Sequence, residues 1–210
     1  MSDSFSRYDT YTTVGSIYCY KGTGILINRF GIKDSSILKN IEADIFAVKQ
    51  SGLYDNPVRG YFTPNHLCCI HRYLFGDVYY FAGNYRREDI MKGNTRFAPN
   101  GQIKEKLNCL LKELKTENYL SGLSYDELIS RSAYYFAELN YIHPFREGNG
   151  RAIREFMRLL YKQAGYDVDW NKYDRKAMLI RMEESIFDYR ALIPMLHEIV
   201  FLEQTCPLDV

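Results

Sequence analysis

The sequence predicts an all-α domain carrying one small β-hairpin. Three observations predict it. Apolar residues recur three or four apart through most of the chain, and helix-start and helix-stop residues bound those runs. A single Gly93-Asn94 turn then sits between two short β-capable stretches. With 210 residues, the chain has the length for one compact core with short extensions.

Residues 1–34 are rich in Tyr, Ser, Thr and Gly without a sustained period, and are expected to form an arm packed on the body. Residues 35–203 are expected to form the domain, and 204–210 a C-terminal tail. The first helix is expected over Ser35–Gln50, where Ile37, Leu38, Ile41, Ile45 and Val48 form an apolar stripe, with Gly52 as its stop. Thr63–Phe75 follows, with Thr63 suited to the cap and Pro64 to the first position. Gly76 lies just past it, and Val78–Phe81 is expected to add a helical turn. Arg86–Pro99 reads as the hairpin, with Glu88–Lys92 and Thr95–Phe97 flanking the turn. Ile103–Glu117 returns to helix, with Leu107, Leu110, Leu111 and Leu114 on one stripe. Ser124-Tyr-Asp-Glu127 is a capping box that opens a helix running to about Asn140. Further helices are expected over Gly150–Gln163, closed by Gly165, over Arg175–Glu184 and over Tyr189–Leu202. Pro194 in the last is tolerable only near a start or at a kink.

Composition narrows the function. Twenty-seven basic residues against twenty-six acidic ones leave a net charge of +1, which argues against a dedicated nucleic-acid surface. No run of about eighteen apolar residues exists, and the start Met1-Ser-Asp-Ser-Phe lacks a basic-then-apolar leader, so no membrane partner is expected. The cysteines (Cys19, Cys68, Cys69, Cys109 and Cys206) are odd in number and lack Cys-x-x-Cys spacing. They read as reduced thiols in a cytoplasmic protein, with neighbouring Cys68 and Cys69 buried as small hydrophobes.

Chemistry concentrates between two helices, in Ile142-His-Pro-Phe-Arg-Glu-Gly-Asn-Gly-Arg-Ala-Ile-Arg154. Glu147-Gly-Asn-Gly150 leads into a helix start, where unpaired backbone N–H groups and the macrodipole favour an anion. Gly148 and Gly150 keep side chains away from an approaching phosphate. This is not a Walker loop, since the chain has no Gly-x-x-x-x-Gly-Lys-Ser/Thr. Arg151 and Arg154 lie three apart on the first turns and share a face beside the cradle, suiting the outer phosphates of a triphosphate. Glu147 is a hard oxygen ligand placed for Mg²⁺. His143, with an ordinary pKa of about 6.5, suits removal of a hydroxyl proton at neutral pH. Phe145 plugs the core beneath the loop. Singly, each residue has an ordinary explanation: a structural His, a turn, a solvated arginine face, a dipole partner. Their coincidence in order within twelve residues does not.

The run His143-Pro-Phe-Arg-Glu147-Gly-Asn-Gly-Arg151-Ala-Ile-Arg154 resembles the signature of the Fic domain, His-x-Phe-x-Asp/Glu-Gly-Asn-Gly-Arg-x-x-Arg, at every specified position. Ile70 to Arg86 is similar to the helix and turn preceding that family's target-binding flap, and the resemblance spans roughly residues 37–200. It implies a Fic-type helical domain in which His143 is the base and Glu147 holds Mg²⁺. Phe145, Gly148, Asn149, Gly150, Arg151 and Arg154 would bind the nucleotide and its phosphates. AMP would pass from ATP to a Ser, Thr or Tyr hydroxyl of a target protein, with pyrophosphate leaving. The hairpin would be the flap that aligns the target, with Ile90, Met91, Lys92 and Gly93 as candidates, Ile90 and Met91 as its apolar clamp. Relatives transfer UMP or phosphocholine, or remove AMP, so these remain alternatives, as does a silent nucleotide-binding module. Many members are held inactive by Ser/Thr-x-x-x-Glu-Gly/Asn. No Ser or Thr here is followed by Glu four residues later, which points to a small antitoxin-like inhibitor acting in trans. The Tyr- and Gly-rich arm resembles the bacterial toxin and secreted-effector type, so delivery into a host cell is a further expectation.

Overall fold

Capping chemistry sets most of the element boundaries in the computed structural model of the chain, which describes residues 15–93 and 95–203. The first fourteen residues of the expected arm, Asn94 in the hairpin turn, and the tail 204–210 lie outside the described residues. Helix α1 spans Ser35–Asp55, with the Asp34 carboxylate accepting from the Ser36 and Ile37 N–H groups. Helix α2 spans Pro64–Phe75, with Thr63 as its cap and Pro64 in its first turn. Strands β1 (Met91–Lys92) and β2 (Thr95–Arg96) pair antiparallel, Met91 opposite Arg96. Helix α3 spans Ile103–Thr116 and α4 spans Tyr125–Ile142; Glu127 accepts from both the N–H and the Oγ of Ser124, reproducing the capping box. Helix α5 spans Asn149–Gln163, followed by β3 (Tyr166–Val168), α6 (Arg175–Glu184), α7 (Ile193–Ile199) and β4 (Val200–Leu202). Among the described residues no helix is long and apolar enough to cross a membrane.

Helix α5 is central, packing against α2 and α4. Its Ile153, Phe156, Met157 and Leu160 are fully buried, the face the sequence assigned to the core. The stripe Leu107, Leu110, Leu111 and Leu114 of α3 is buried as expected. Cys68 is buried, while Cys69 is half-buried.

Several boundaries differ from the sequence expectation. Helix α1 runs through Gly52 to Asp55, and its buried face is Leu38, Glu42, Phe46 and Leu53. Ile37 and Val48, expected in the core, are 53% and 74% exposed. The buried line of α1 lies about one residue from the apolar stripe of the sequence, because that line contains a carboxylate, Glu42. Val78–Phe81 forms successive turns rather than helix. The last helix ends at Ile199, and Val200–Leu202 pairs antiparallel with Tyr166–Val168. Gly165, at φ +88°, ends α5 and reverses the chain into this second ribbon. Strands of three residues carry too little alternation to be read in advance.

Residues 15–34 lie against the body. The Arg29 N–H donates to the Val78 carbonyl, and Ser16 Oγ and the Ile17 N–H both donate to the Glu88 carboxylate. Glu88 also accepts from Arg146 Nε at 2.9 Å, so one carboxylate joins the arm, the approach to the hairpin and the loop before α5.

The hairpin base and the end of α4 meet on Arg86, which is 2% exposed. Its guanidinium donates to the carbonyls of His143, Ile142, Ala98 and Glu88. Two of these belong to the last turn of α4, whose carbonyls have no helical partner. The substitution Arg86→Lys is expected to cost at least about 2 kcal/mol in urea unfolding, because one ammonium cannot span that fork of acceptors.

Candidate active site

The end of α4 delivers His143. It caps the helix in the left-handed region (φ +46°, ψ +62°), with its N–H donating to the Leu139 carbonyl. Its Nδ1 lies 3.0 Å from the Asn140 carbonyl. A carbonyl only accepts, so Nδ1 carries a proton, and in the neutral imidazole Nε2 is the acceptor. Phe97, directly after β2, stacks on the ring at 3.7 Å and 18°. The Asn140 carbonyl and the Phe97 face thus both orient the His143 ring.

The loop from His143 into α5 closes on itself. Asn149 Oδ1 accepts from the Phe145 N–H and its Nδ2 donates to the Phe145 carbonyl, both at 2.8 Å. The Asn149 side chain is thus committed to the loop, and its backbone is what remains for an anion. Phe145 is fully buried and stacks on His71 at 3.8 Å, so it supports the loop from below and does not line the cleft. Gly148, at φ +78°, caps α5, and its N–H donates to Glu147 Oε1.

The two glycines serve different ends. A Cβ on Gly148 would lie 2.4 Å from the Phe75 ring, in a conformation L side chains rarely adopt. A Cβ on Gly150 would meet only Arg154 Nη1, at 3.4 Å. The fold therefore requires Gly148, whereas at Gly150 the absent side chain keeps open the cleft wall beside Arg154.

His71 holds the loop from α2. Its Nε2 lies 2.8 Å from the Glu147 carbonyl, and its Nδ1 accepts from the Gly83 N–H at 2.8 Å, which fixes a neutral Nε2–H tautomer. Burial pushes its pKa down to about 3; Arg151 and Arg72 add to that, against the bond to the Glu147 carbonyl.

Arg151 is 6% exposed, its guanidinium over the Phe75 and Phe46 rings at 4.5 and 5.0 Å. Nη2 lies 2.7 Å from Glu42 Oε1 and 3.5 Å from Glu147 Oε1, while the buried Nη1 has no hydrogen-bond partner. Burial opposes its charge, but the two carboxylates outweigh that and hold its pKa above the ordinary arginine value. Arg154 is half-buried and lines the same cleft as His143, Glu147, Gly148, Gly150 and Arg151.

The hairpin forms one rim through Lys92 and Thr95. Ile90 is buried against Phe97 at the hairpin base, Met91 is half-buried on β1, and Gly93 takes the turn at φ +57°. The opposite wall comes from α6, which contributes the apolar side chains of Met178, Leu179 and Met182. Among the described residues no cluster of three His, Cys, Asp or Glu side chains could hold a metal alone. A lone buried carboxylate on the cleft, Glu147, still fits Mg²⁺, which completes its shell with phosphates and water.

Sequence reading missed Glu42, His71, Phe97 and the α6 wall. Glu42 carried one faint signal, a charge spaced four from both Leu38 and Phe46.

Two outcomes follow from this geometry. Gly148→Ala is expected to lose about 2 kcal/mol or more of stability, whereas Gly150→Ala keeps its melting temperature and loses about tenfold in affinity for a triphosphate; thermal unfolding and calorimetric titration separate the two. For His71, the unfolded chain binds a proton below about pH 6.5 that the folded chain refuses until about pH 3. Its contribution is therefore complete above pH 6.5 and is lost as pH falls. Between pH 6.5 and 4.5 the protein is expected to lose about 2 kcal/mol more than His71→Gln, read by urea unfolding.

Residues 61–161 match the Fic/DOC family. The chain is 40% identical over 165 residues to protein adenylyltransferase VbhT of Bartonella schoenbuchensis, covering 79% of this chain and 34% of VbhT. It therefore spans about a third of that relative. Over 154 residues it is 38% identical to a Salmonella typhimurium protein named "Probable protein adenylyltransferase Fic", covering 73% of this chain and 76% of the relative. Among solved structures, BepC of Bartonella tribocorum with bound AMPPNP superposes with a TM-score of 0.81 at 29% identity, covering 89% of this chain and 97% of BepC. The N-terminal Fic domain of a VirB-translocated Bep effector from Bartonella quintana, with bound ADP, gives 0.82 at 28% identity, with 89% and 95% covered. The chain belongs to the Fic/DOC family.

Proposed function

We propose that the chain is a protein adenylyltransferase that moves AMP from ATP onto a Ser, Thr or Tyr hydroxyl of a target protein. The observation that carries this reading is the tautomer of His143. Its Nδ1–H is held by the Asn140 carbonyl, so that in the neutral ring Nε2 is the accepting nitrogen, and His143 lines a cleft with Gly148, Gly150 and both arginines. The relatives named protein adenylyltransferase, and the AMPPNP and ADP bound in two structural neighbours, support ATP as the substrate.

In this reading His143 Nε2 takes the hydroxyl proton as the target oxygen forms its bond to the α-phosphorus. The bond from that phosphorus to the bridging oxygen breaks, and pyrophosphate leaves with the electron pair. Backbone N–H groups at the start of α5 face the phosphates, and Arg151 and Arg154 take the outer ones in forked hydrogen bonds. Glu147 would hold Mg²⁺ together with those phosphates, and the ion would supply further neutralisation of their charge. The hairpin, through Lys92 and its neighbours Ile90, Met91 and Gly93, would align the target by main-chain pairing. No Ser or Thr of these 210 residues has Glu four positions on, so restraint of Arg154 is assigned to a group outside them, in this reading a small antitoxin-like partner acting in trans. The VirB-translocated neighbours support delivery into a host cell.

Incubation with α-labelled ATP, Mg²⁺ and a bacterial lysate is expected to label a protein band. His143→Ala is expected to lower that labelling by about a hundredfold or more. Equal labelling by the variant would remove His143 from the role of base, and labelling from UTP in preference to ATP would replace the donor.

A further inference from the structure

Helix α1 lies outside the matched stretch 61–161, yet it contributes a buried carboxylate to the centre of the site. Glu42 is 1% exposed. One of its oxygens accepts from the Tyr79 hydroxyl, and the other meets Arg151 Nη2 at 2.7 Å. A charge this deep is retained at a cost unless its partner needs it. Arg151 has two carboxylates within reach, and it sits 0.8 Å closer to Glu42 (2.7 Å) than to Glu147 (3.5 Å). Glu42 also approaches from α1, on the side where Phe46 flanks the guanidinium plane. One end of the fork is thereby fixed, while Nη1 has no hydrogen-bond partner.

We propose that Glu42 is a positioning residue for phosphate recognition: it anchors Arg151 through Nη2, keeps Arg151 from closing onto Glu147, and presents Nη1 to the outer phosphates of the nucleotide. Without that anchor, the nearest negative charge to Arg151 is Glu147. The arginine then swings onto that carboxylate, and one fork of hydrogen bonds is withdrawn from the phosphates. Only ligands with outer phosphates feel the change. A ligand ending at the α-phosphate does not.

This inference rests on the site being a nucleotide site, and calorimetry on the whole chain separates the two. Glu42→Gln preserves the size of the side chain and a hydrogen bond for Tyr79. It is expected to weaken ATP about tenfold while changing AMP by less than about twofold. In an Arg151→Ala background, Glu42→Gln is expected to weaken ATP no further, and to raise the melting temperature by removing an unpaired buried charge. Wild-type protein that binds no ATP would overturn the nucleotide site itself. If the wild type binds ATP, equal ATP affinity in Glu42→Gln overturns the positioning role. So does an equal loss for ATP and AMP, since a general defect in packing affects both. Should Glu42→Gln fail to fold, Glu42→Asp supplies the same comparison: it retains the charge, shortens the reach, and is expected to lose ATP affinity selectively.

Discussion

The guanidinium of Arg86 sits where the last turn of α4, the base of the hairpin and the loop into α5 converge. Each supplies carbonyl oxygens that regular structure leaves unpaired, and in a buried place such groups must find a donor. One planar fork serves them together. The position of His143 relative to the hairpin is therefore a matter of main-chain hydrogen bonding to a rigid group rather than of surface contacts. Phe97 completes the arrangement, because the chain leaving β2 carries its ring onto the imidazole face.

Around that joint, the loop before α5 is held by groups that carry no titratable change near neutrality. Asn149 ties both polar groups of Phe145, and His71 stays neutral between the Glu147 carbonyl and the Gly83 N–H. Phe75 lies under both Gly148 and Arg151. Aromatic rings thus lie beneath the loop, and the charges packed against them are Glu147, Glu42 and Arg151. In such surroundings an arginine acts on a phosphate with less dielectric loss than it would in water.

Much of this was legible in the sequence, for reasons that differ by element. Thr63-Pro64 and the Ser124–Glu127 box are local chemistry, so the starts of α2 and α4 were read closely. The segment from His143 to Arg154 is contiguous, and the structure brings His143, Glu147, Gly148, Gly150, Arg151 and Arg154 to one cleft. What escaped is long-range. Glu42 and Arg151 are far apart in the chain, and a carboxylate inside an apolar stripe reads as solvent-facing until its partner is known. That single residue displaced the stripe of α1 onto Ile37 and Val48. Arg86 and His71 escaped for the same reason, since their value lies in backbone carbonyls and N–H groups that every residue possesses. Strand β4 escaped because β3, its pairing partner, is only three residues long.

The place of α1 bears on where the functional unit ends. The matched stretch begins at residue 61, after α1 has finished, and holds the whole His143–Arg154 run. Cut there, the fragment would keep every residue of that run and lose Glu42 and Phe46, leaving Arg151 with one carboxylate and a bare aromatic floor on one side. The boundary of the family match and the boundary drawn by electrostatics do not coincide. The smallest piece of this chain that keeps Arg151 between both carboxylates and both aromatic rings begins at the cap of α1, with Asp34.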